Sequence, residues 1–271
     1  MSESPPANNF AVGEVMLLID QRDRSFLVSV PPPGDLVVRV HGEPFKSEDL
    51  TAVNDGGVLI SPMRRRYLAV RPTLQEIIMN MPRQAQIIYP KDLALMLMWG
   101  DLTPGQRVLE VGCGHGAMTM CLLRALGPEG RLVTYDLRRD HLNRTRKNVA
   151  LYLGEEPLTR WSPVTGNPAE QGFAETGMDR LFTDVPEPWT MVEAAAQALR
   201  PGAVWVAYVP TVIQMAEHVK ALNAHHYWSL AQGFEALQRF WHVRPPSVRP
   251  SHRMSGHTGF MVVGRRRFKE A

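Results

Sequence analysis

The chain has 271 residues, of which 44% are hydrophobic and 21% charged; this ordinary globular composition excludes a wholly disordered or fibrous protein. Its length fits one large domain plus a small one. The net charge of +3 is unevenly spread, because residues 244–271 carry +6 and the other 243 residues therefore sum to −3. The 25 Arg greatly outnumber the 5 Lys, and Arg suits forked contacts with phosphate. The basic end predicts either a polyanionic partner or a solvated tail.

The sequence predicts a protein of a reducing compartment, most simply the cytoplasm. No N-terminal stretch pairs a basic start with an apolar run, so we expect no signal peptide, and no window reaches the roughly 18 apolar residues of a membrane span. The two cysteines, Cys113 and Cys121, lie too close together for a secreted disulfide framework, and no Cys/His spacing indicates metal ligands. We therefore expect neither a membrane nor a metal as a partner.

The N-terminal part of the chain is expected to form a small β domain over residues 10–71. It follows a loose terminus at residues 1–9, which is small, polar and Pro-containing. Short β-prone runs separated by turn formers predict a small antiparallel sheet or barrel. These runs are Val15–Ile19, Ser25–Val30, Leu36–Val40, Val58–Ile60 and Tyr67–Val70.

The second predicted domain covers residues 72–271 and belongs to the α/β class. It opens with a helix over Leu74–Asn80, for which Thr73 and Glu76 supply a capping box, and a second helix is predicted over Lys91–Trp99. Strands and helices then alternate, which predicts a doubly wound, mainly parallel sheet covered on both faces. The predicted strands are Arg107–Val111, Arg131–Tyr135, Arg180–Thr183, Val204–Val209 and Gly259–Val263. The predicted helices are Ala117–Leu126, Asp140–Leu153, Trp189–Leu199 and Thr211–Leu222.

The strongest local signal is a glycine-dense turn between a buried strand and a helix, Glu-Val-Gly-Cys-Gly-His-Gly-Ala at residues 110–117. Glycines let a backbone turn tightly and approach a ligand without a Cβ in the way. The spacing G-x-G-x-x-A fits the dinucleotide fingerprint of an NAD-dependent oxidoreductase, whereas E-x-G-x-G-x-G is more typical of S-adenosylmethionine (SAM) sites. Glu110 favours SAM, because a carboxylate attracts an ammonium and a sulfonium and would repel a pyrophosphate.

Two aspartates end predicted strands, where ligands of open α/β sheets bind. Asp136 lies twenty residues after Gly116 and could accept both ribose hydroxyls of either cofactor class; the alternative is a surface Asp that starts a helix. Asp184 precedes Pro186 and Pro188, which stiffen the following loop, and its alternative role is a helix N-cap.

Four further segments carry a resemblance to a known family. They are Gln86–Asp92 (QIIYPKD), Asp184–Trp189 (DVPEPW), Ala207–Pro210 (AYVP) and Arg249–Phe260 (RPSHRMSGHTGF). With the glycine loop and the Arg-Pro-Thr at residues 71–73, they resemble the tRNA (adenine-58-N1)-methyltransferase family, in its single-chain bacterial and archaeal type. The resemblance covers about residues 13–267, and the combination in this order is highly specific, although the glycine loop alone is not.

The resemblance implies a Rossmann-like class I SAM-dependent methyltransferase fold behind a small N-terminal β domain, assembled as a homotetramer. It implies methylation of N1 of adenine 58 in the T-loop of tRNA, with Asp184 as the catalytic carboxylate. The implied cofactor-binding residues are Glu110, Gly112, Gly114, His115, Gly116, Ala117, Met118, Asp136, His141, Asn167 and Asp184. The implied substrate-binding residues are Tyr89 and Tyr208. Positive charge makes Arg249 and Arg253 the further substrate-binding candidates, and it also favours tRNA contact by Arg244, the run Arg265-Arg266-Arg267 and the run Arg64-Arg65-Arg66.

Three positions depart from the family's usual pattern. His115 stands where Ser is common, Asp136 stands where Glu is usual, and Asn167 stands where an acid is common. Either Asn167 or Glu170 could therefore hold the adenine of the cofactor. These departures keep open a non-catalytic tRNA-binding paralogue as an alternative function, although such a chain should have lost the glycine loop and Asp184, and both are present.

Overall fold

The computed structural model of the protein describes residues 8–34, 37–82 and 86–268. The chain divides into two compact units, Met1–Pro82 and Arg83–Ala271. Residues 1–7 of the predicted loose terminus and Leu36, the first residue of a predicted strand, lie outside the described residues. The described end of that terminus is tied to the first unit, because Asn9 forms a β-bridge with Asn54.

The first unit contains an antiparallel sheet, as predicted from its short β-prone runs. Its elements in chain order are β1 (Val15–Asp20), β2 (Ser25–Ser29), β3 (Val38–Val40), β4 (Glu43–Phe45), α1 (Ser47–Thr51), β5 (Gly57–Ile60), β6 (Arg66–Val70) and α2 (Leu74–Asn80). Four strands pair in the order β2-β1-β6-β5, and β3 pairs with β4 alone. Met16 and Leu18 alternate along β1 onto one core with Phe45 and Tyr67.

Helix α2 forms over the predicted residues and has the predicted capping box. The Thr73 hydroxyl accepts a hydrogen bond from the Glu76 N–H at 3.3 Å, and the Glu76 carboxylate accepts one from the Thr73 N–H at 2.8 Å. The predicted domain boundary at residue 72 places this helix with the second domain. In the structure it packs against β2 and lies within the first compact unit, while the domain boundary itself stays a prediction.

The second unit alternates strands and helices. Its elements in chain order are α3 (Pro90–Trp99), β7 (Arg107–Val111), α4 (Ala117–Leu126), β8 (Arg131–Asp136), α5 (Arg139–Leu153), β9 (Trp161–Thr165), α6 (Pro168–Gln171), β10 (Met178–Asp184), α7 (Val192–Ala198), β11 (Leu199–Val209), α8 (Val212–Ala224), β12 (Trp228–Phe234), β13 (Trp241–Arg244), β14 (Ser247–Pro250) and β15 (Phe260–Arg266). Short 3₁₀ turns at Glu156–Arg160 and Pro188–Met191 precede β9 and α7.

Seven of these strands form one sheet in the order β12-β15-β11-β10-β7-β8-β9. The five strands from β11 to β9 are parallel, whereas β15 runs antiparallel to both of its neighbours. The mainly parallel α/β sheet predicted from the sequence is therefore confirmed. The sequence prediction did not include β9, β12 or the β13–β14 hairpin.

The order of the strands fixes where a ligand can bind. Strand β7 lies between β8 and β10, so the chain builds the sheet outward from β7 in one direction and then returns to continue it in the other. Right-handed crossovers place the helices of the two halves on opposite faces and leave a crevice at the carboxyl ends of β7 and β10. Gly112 follows β7 and Asp184 ends β10, so both lie at this point. Within the described part of the chain, no helix has the length and apolar character needed to cross a membrane.

Candidate active site

A cavity of about 570 Å³ opens at the carboxyl ends of β7, β8, β9 and β10, and its volume is in the range of small-molecule sites. Its lining residues are Gln86, Val111, Gly112, Gly114, Asp136, Leu137, Arg138, His141, Gly166, Asn167, Pro168, Asp184, Val185, Pro186, Glu187, Thr190 and Met191. Six residues predicted to bind the cofactor are among them: Gly112, Gly114, Asp136, His141, Asn167 and Asp184. Four others, His115, Gly116, Ala117 and Met118, lie on the turn and helix that follow β7.

The glycine loop adopts a backbone that side chains would disrupt. Gly112 has φ +86°, and a Cβ there would lie 2.2 Å from the backbone oxygen of Asp184. Gly116 has φ +87°, and a Cβ there would lie 2.9 Å from a methyl carbon of Thr145. Gly114 differs, because no atom lies within 4 Å of its Cβ position although its φ is +52°. The loop therefore packs tightly against β10 and α5 at its two ends and leaves room for a ligand at its centre.

Asp136 is held rigidly in the cavity wall. Its Oδ2 accepts a hydrogen bond from the Cys113 N–H at 3.0 Å and lies 3.3 Å from Nδ1 of His141, and its Oδ1 accepts one from the Arg138 N–H at 2.8 Å. The side chain is buried except where it lines the cavity. The Cys113 thiol also donates to Oδ2, at 3.3 Å. These bonds fix the carboxylate and occupy Oδ2, whereas Oδ1 has a single donor and retains acceptor capacity for a hydroxyl group of a ligand.

Asp184 is exposed and lines the cavity. Desolvation by the surrounding protein, and then the negative charge of Asp136, raises the pKa of Asp184 to about 7. A carboxyl group with such a pKa at the end of a central strand is a typical active-site feature.

Glu110 occupies a different environment from the one that the loop pattern suggests. It is fully buried within β7, and its oxygens accept hydrogen bonds from the hydroxyls of Thr119 at 2.8 Å and Thr134 at 2.6 Å. Burial raises the pKa of Glu110 to about 8. The carboxyl group does not line the cavity; instead it ties β7 to α4 and β8 and thereby holds the glycine loop between them.

His115 lines a small second cavity beside the first, together with Ala117, Met118 and Asp184. Its Nε2 lies 3.3 Å from Nη1 of Arg144, and its backbone oxygen accepts a hydrogen bond from Asn148 at 2.8 Å. Burial and then the positive charge of Arg144 lower the pKa of His115, so the ring is neutral at physiological pH and can accept a bond from the guanidinium.

Asn167, and not Glu170, lines the cavity. Asn167 caps α6, where its Oδ1 accepts a hydrogen bond from the Ala169 N–H at 3.1 Å, and its Nδ2 donates to Glu170 Oε1 at 2.8 Å. Glu170 is exposed and acts here by orienting the amide of Asn167.

The two predicted substrate-binding tyrosines lie near the cavity but do not line it. Tyr208 is buried at the end of β11, where it is the register partner of Asp184 on β10. Burial, then the negative charges of Asp92 and Asp184, raises the pKa of Tyr208. Tyr89 is the N-cap residue of α3 and is partly buried.

The basic C-terminal segment is divided between the two ends of strand β15. Arg249 lies on the exposed β14 and Arg253 in the exposed segment before β15. Arg265 lies near the other end of β15, where it pairs with Val204 and donates to the backbone oxygen of Gly202. The run Arg265-Arg266-Arg267 therefore lies at the amino-terminal ends of the parallel strands, whereas the cavity lies at their carboxyl ends.

Comparison with known proteins identifies the family. The family model described as "tRNA methyltransferase complex GCD14 subunit" matches residues 67–258. The chain is 37% identical over 251 residues to the tRNA (adenine(58)-N(1))-methyltransferase TrmI of Thermus thermophilus, covering 93% of this chain and 96% of that one. The chain belongs to the tRNA (adenine-58-N1)-methyltransferase family.

Solved structures agree with this family in fold. The tRNA (m1A58) methyltransferase TrmI of Aquifex aeolicus has a TM-score of 0.80 and 26% identity, covering 96% of this chain and 99% of that one. A protein of Thermotoga maritima described as a SAM-dependent O-methyltransferase has a TM-score of 0.90 and 28% identity, covering 97% of both chains. The class I methyltransferase fold predicted from the sequence is confirmed, and the NAD-dependent oxidoreductase alternative is not supported.

The sequence analysis did not predict several residues that line the cavity of this tRNA (adenine-58-N1)-methyltransferase family member. Val185, Pro186 and Glu187 were quoted only as part of a motif, although all three line the cavity, and Thr190 lines it as well. Gln86 lines both cavities and was likewise only quoted as a motif residue. Within the described residues, no group of three or more His, Cys, Asp or Glu side chains is arranged to hold a metal ion.

Proposed function

We propose that this protein transfers a methyl group from SAM to N1 of adenine 58 in the T-loop of tRNA. The observation that carries the proposal is the position of Asp184 in the cavity wall, against the glycine loop, in a chain that matches a tRNA (adenine(58)-N(1))-methyltransferase over nearly its whole length. The presence of both the loop and Asp184 disfavours the alternative of a non-catalytic tRNA-binding paralogue.

The residues present fit SAM. The open space at the Cβ position of Gly114 is a cradle that any larger residue would fill, and Oδ1 of Asp136, which has one donor in the structure, retains acceptor capacity for a ribose hydroxyl. Asn167 would hold the adenine, and the backbone of residues 115–118 at the start of α4 would hold the methionine part, whose carboxylate suits a helix N-terminus. When bound, SAM supplies a methyl group activated by its sulfonium.

The chain's own task is alignment, exclusion of water and stabilisation of charge. Adenine N1 carries a free lone pair at neutral pH, so no general base is needed. Positive charge develops on the adenine ring as N1 is alkylated. The ionised Asp184 carboxylate stabilises this charge by attraction, and because it is already in place it need not reorganise during the reaction. Proximity and orientation can contribute about 7–11 kcal/mol to such a bimolecular step.

The target base must leave its stack before it can react. N1 lies on the Watson–Crick edge, and extruding a base costs on the order of a few kcal/mol. Contacts with the rest of the tRNA offset this cost, and exposed Arg249 and Arg253, in the segments before β15, are candidates for them. Such contacts with phosphates weaken steeply with salt.

We further propose a homotetramer that acts in the cytoplasm. The β13–β14 hairpin exposes apolar side chains, including Trp241 (58% exposed), Val243 and Val248, and exposed apolar patches mark interaction surfaces. Light scattering on the purified protein tests the assembly, since a monomer at micromolar concentration contradicts it.

The activity is tested by incubating the protein with SAM and an unmodified tRNA transcript, then digesting the RNA to nucleosides for mass spectrometry. We expect new N1-methyladenosine, with a reverse-transcription stop at position 58. A transcript in which adenine 58 is replaced by uridine is the matched control and should gain nothing. Absence of N1-methyladenosine from the unaltered transcript would overturn the proposal.

A further inference from the structure

A buried ion pair on α3 is tied to the segment that precedes the last strand. Asp92, in the first turn of α3, is 0% exposed. Its Oδ1 accepts a hydrogen bond from Lys91 Nζ at 2.7 Å, and its Oδ2 accepts one from the Thr258 hydroxyl at 2.7 Å. The sequence separation between Asp92 and Thr258 is 166 residues, so this contact joins distant parts of the second unit.

Lys91 is satisfied in the same cluster. Besides Asp92, its ammonium donates to the backbone oxygen of Ala236 and to the Thr258 hydroxyl, each at 2.7 Å. Three donors therefore meet three acceptors, and the Thr258 hydroxyl accepts from Lys91 while donating to Asp92. The side chain of Lys91 is only 12% exposed.

Thr258 also connects this cluster to Tyr208. The phenol of Tyr208 donates to the backbone oxygen of Thr258 at 2.5 Å. The next residue packs against the ring, because a Cβ on Gly259 would lie 2.2 Å from Cζ of Tyr208. His257 adds a second tie, with its Nε2 at 2.8 Å from the backbone oxygen of Pro210. The ring of Tyr208 is therefore held by Thr258 at its hydroxyl and by Gly259 beside Cζ, while His257 holds the same segment against Pro210.

The energetics of the pair suggest a role other than stability. Burying two charges costs several kcal/mol, and a buried ion pair is often no better for stability than well-packed apolar residues. Where every donor and acceptor is satisfied, such a network instead specifies a single arrangement of the groups it joins. Here the group at the end of the network is Tyr208, the register partner of Asp184.

We propose that Lys91, Asp92 and Thr258 are positioning residues that set the Tyr208 ring beside Asp184 for the target base. This inference rests on the proposed function, because it assigns Tyr208 to the base-binding side of that site. The network touches neither cavity, so its loss should change the placement of tRNA and the rate of transfer more than the binding of SAM.

The first test is a double-mutant cycle between Thr258→Val and Tyr208→Phe, with methyl transfer to tRNA as the readout. Thr258→Val keeps the shape and removes the hydroxyl; loss of such a buried bond corresponds to roughly tenfold in kcat. We expect Thr258→Ser to restore kcat to within about twofold, and the SAM dissociation constant to stay within about twofold throughout. Thr176→Val, at an exposed threonine, is the matched control.

The cycle separates positioning from a general structural effect. If Thr258 acts through Tyr208, Thr258→Val should change kcat by less than about twofold in the Tyr208→Phe background, because coupled residues are not additive. A full tenfold loss in that background would overturn the proposal.

A second readout does not depend on activity. Hydrogen exchange followed by mass spectrometry should show faster exchange of residues 256–260 in Thr258→Val and in Asp92→Asn, with α4 unchanged. Unaltered exchange in both variants would overturn the positioning role. Absence of N1-methyladenosine from the wild-type reaction would instead overturn the proposed function, and the exchange result would still decide whether the network holds this segment.

Discussion

Asp184 and Tyr208 are register partners on the adjacent parallel strands β10 and β11. Neighbouring strands lie about 4.8 Å apart and register partners direct their side chains to the same face of a sheet. Asp184 lines the cavity, and Tyr208 is buried beside it on the next strand. In the proposed reaction this pair stands next to the target base, where the carboxylate supplies the charged group at the edge of the base.

We expect Asp184→Asn to lower kcat by about 10²–10³-fold, the usual cost of removing one electrostatic group aimed at the transition state. The dissociation constant for SAM should change far less, because the carboxylate acts on the target base. Single-turnover kinetics and calorimetry measure the two quantities. Glu217→Gln, at an exposed carboxylate on α8, is the charge control. Equal losses of SAM binding and turnover would mean that Asp184 binds the cofactor.

The activity should depend on pH through Asp184. Its raised pKa of about 7 means that the carboxylate is protonated below that pH and ionised above it. Since only the ionised form opposes positive charge on the adenine, kcat/KM should rise as the pH increases through about 7 and level off above it. A pH series between 5.5 and 9 measures this, and an unchanged limb in Asp184→Asn would assign the titration to another group.

The close approach of the glycine loop to β10 makes a steric prediction. Gly112 and Gly154 both have φ +86°, but a Cβ at position 112 would lie 2.2 Å from the Asp184 backbone oxygen, whereas no atom lies within 4 Å of the Cβ position at 154. Gly154, with ψ 179°, lies in a backbone region that almost only glycine adopts, so Gly154→Ala should cost the backbone strain alone, about 1–3 kcal/mol.

Gly112→Ala adds a clash to the same strain and should also displace the loop from Asp184. We expect a larger loss of unfolding free energy and a loss of SAM affinity of at least tenfold. Urea denaturation and calorimetry on the two variants provide the comparison. Equal losses of unfolding free energy and of SAM affinity in the two variants would show that the loop accommodates a Cβ at position 112 without a clash.

A buried histidine makes a prediction about stability. His218 on α8 is 0% exposed, and within the described residues neither of its ring nitrogens has a hydrogen-bond partner. Burial lowers the pKa of His218 to about 3, so the folded protein holds it neutral while the unfolded chain protonates it near pH 6.5. The folded state should therefore be most stable above about pH 6.5 and lose stability as the pH falls from 6.5 towards 3.

His218→Phe keeps a ring against Trp205, which lies 4.5 Å away between centroids, and removes both the titration and the unpartnered nitrogens. We expect urea denaturation to show a smaller loss of unfolding free energy between pH 7.5 and pH 5 in the variant than in the wild type. Parallel pH profiles for the two proteins would contradict this assignment. The site lies outside the cavity, so methyl transfer serves as the control for folding.

The sequence predicted the central part of the fold well, because its signals there are local and agree with one another. Helix α4 and strand β7 have the predicted bounds, since a buried apolar run, three glycines and an apolar helix follow without interruption. Strand β9 was missed because Pro163 interrupts a run of mixed polarity, which is tolerated at the edge of a sheet. The β13–β14 hairpin was missed because its apolar residues are exposed and show no alternation of burial.

The sequence predicted which residues lie near the site, but not where their side chains point. The carboxyl ends of strands placed Asp136 and Asp184 in the cavity wall, as expected for an open α/β sheet. The direction of Glu110 was not predictable, because whether its carboxylate faces the ligand or the hydroxyls of Thr119 and Thr134 depends on tertiary packing. Which of Asn167 and Glu170 lines the cavity likewise depends on the helix cap at α6, which two polar residues three positions apart do not specify.

The reversal of β15 changes what the basic C-terminus can do. A strand of seven residues spans roughly 23 Å, so the segment that leads into β15 and the run Arg265-Arg266-Arg267 at its far end lie at opposite ends of the sheet, although their arginines look like one cluster in the linear sequence. Screening in physiological salt acts over about 8 Å, which makes the two groups electrostatically independent. The group at the far end of β15 donates to the backbone oxygens of Gly202, Ala196 and His226, so the positive charge of the C-terminus divides into two groups with different surroundings, and only the first group leads into the end of the sheet that carries the cavity.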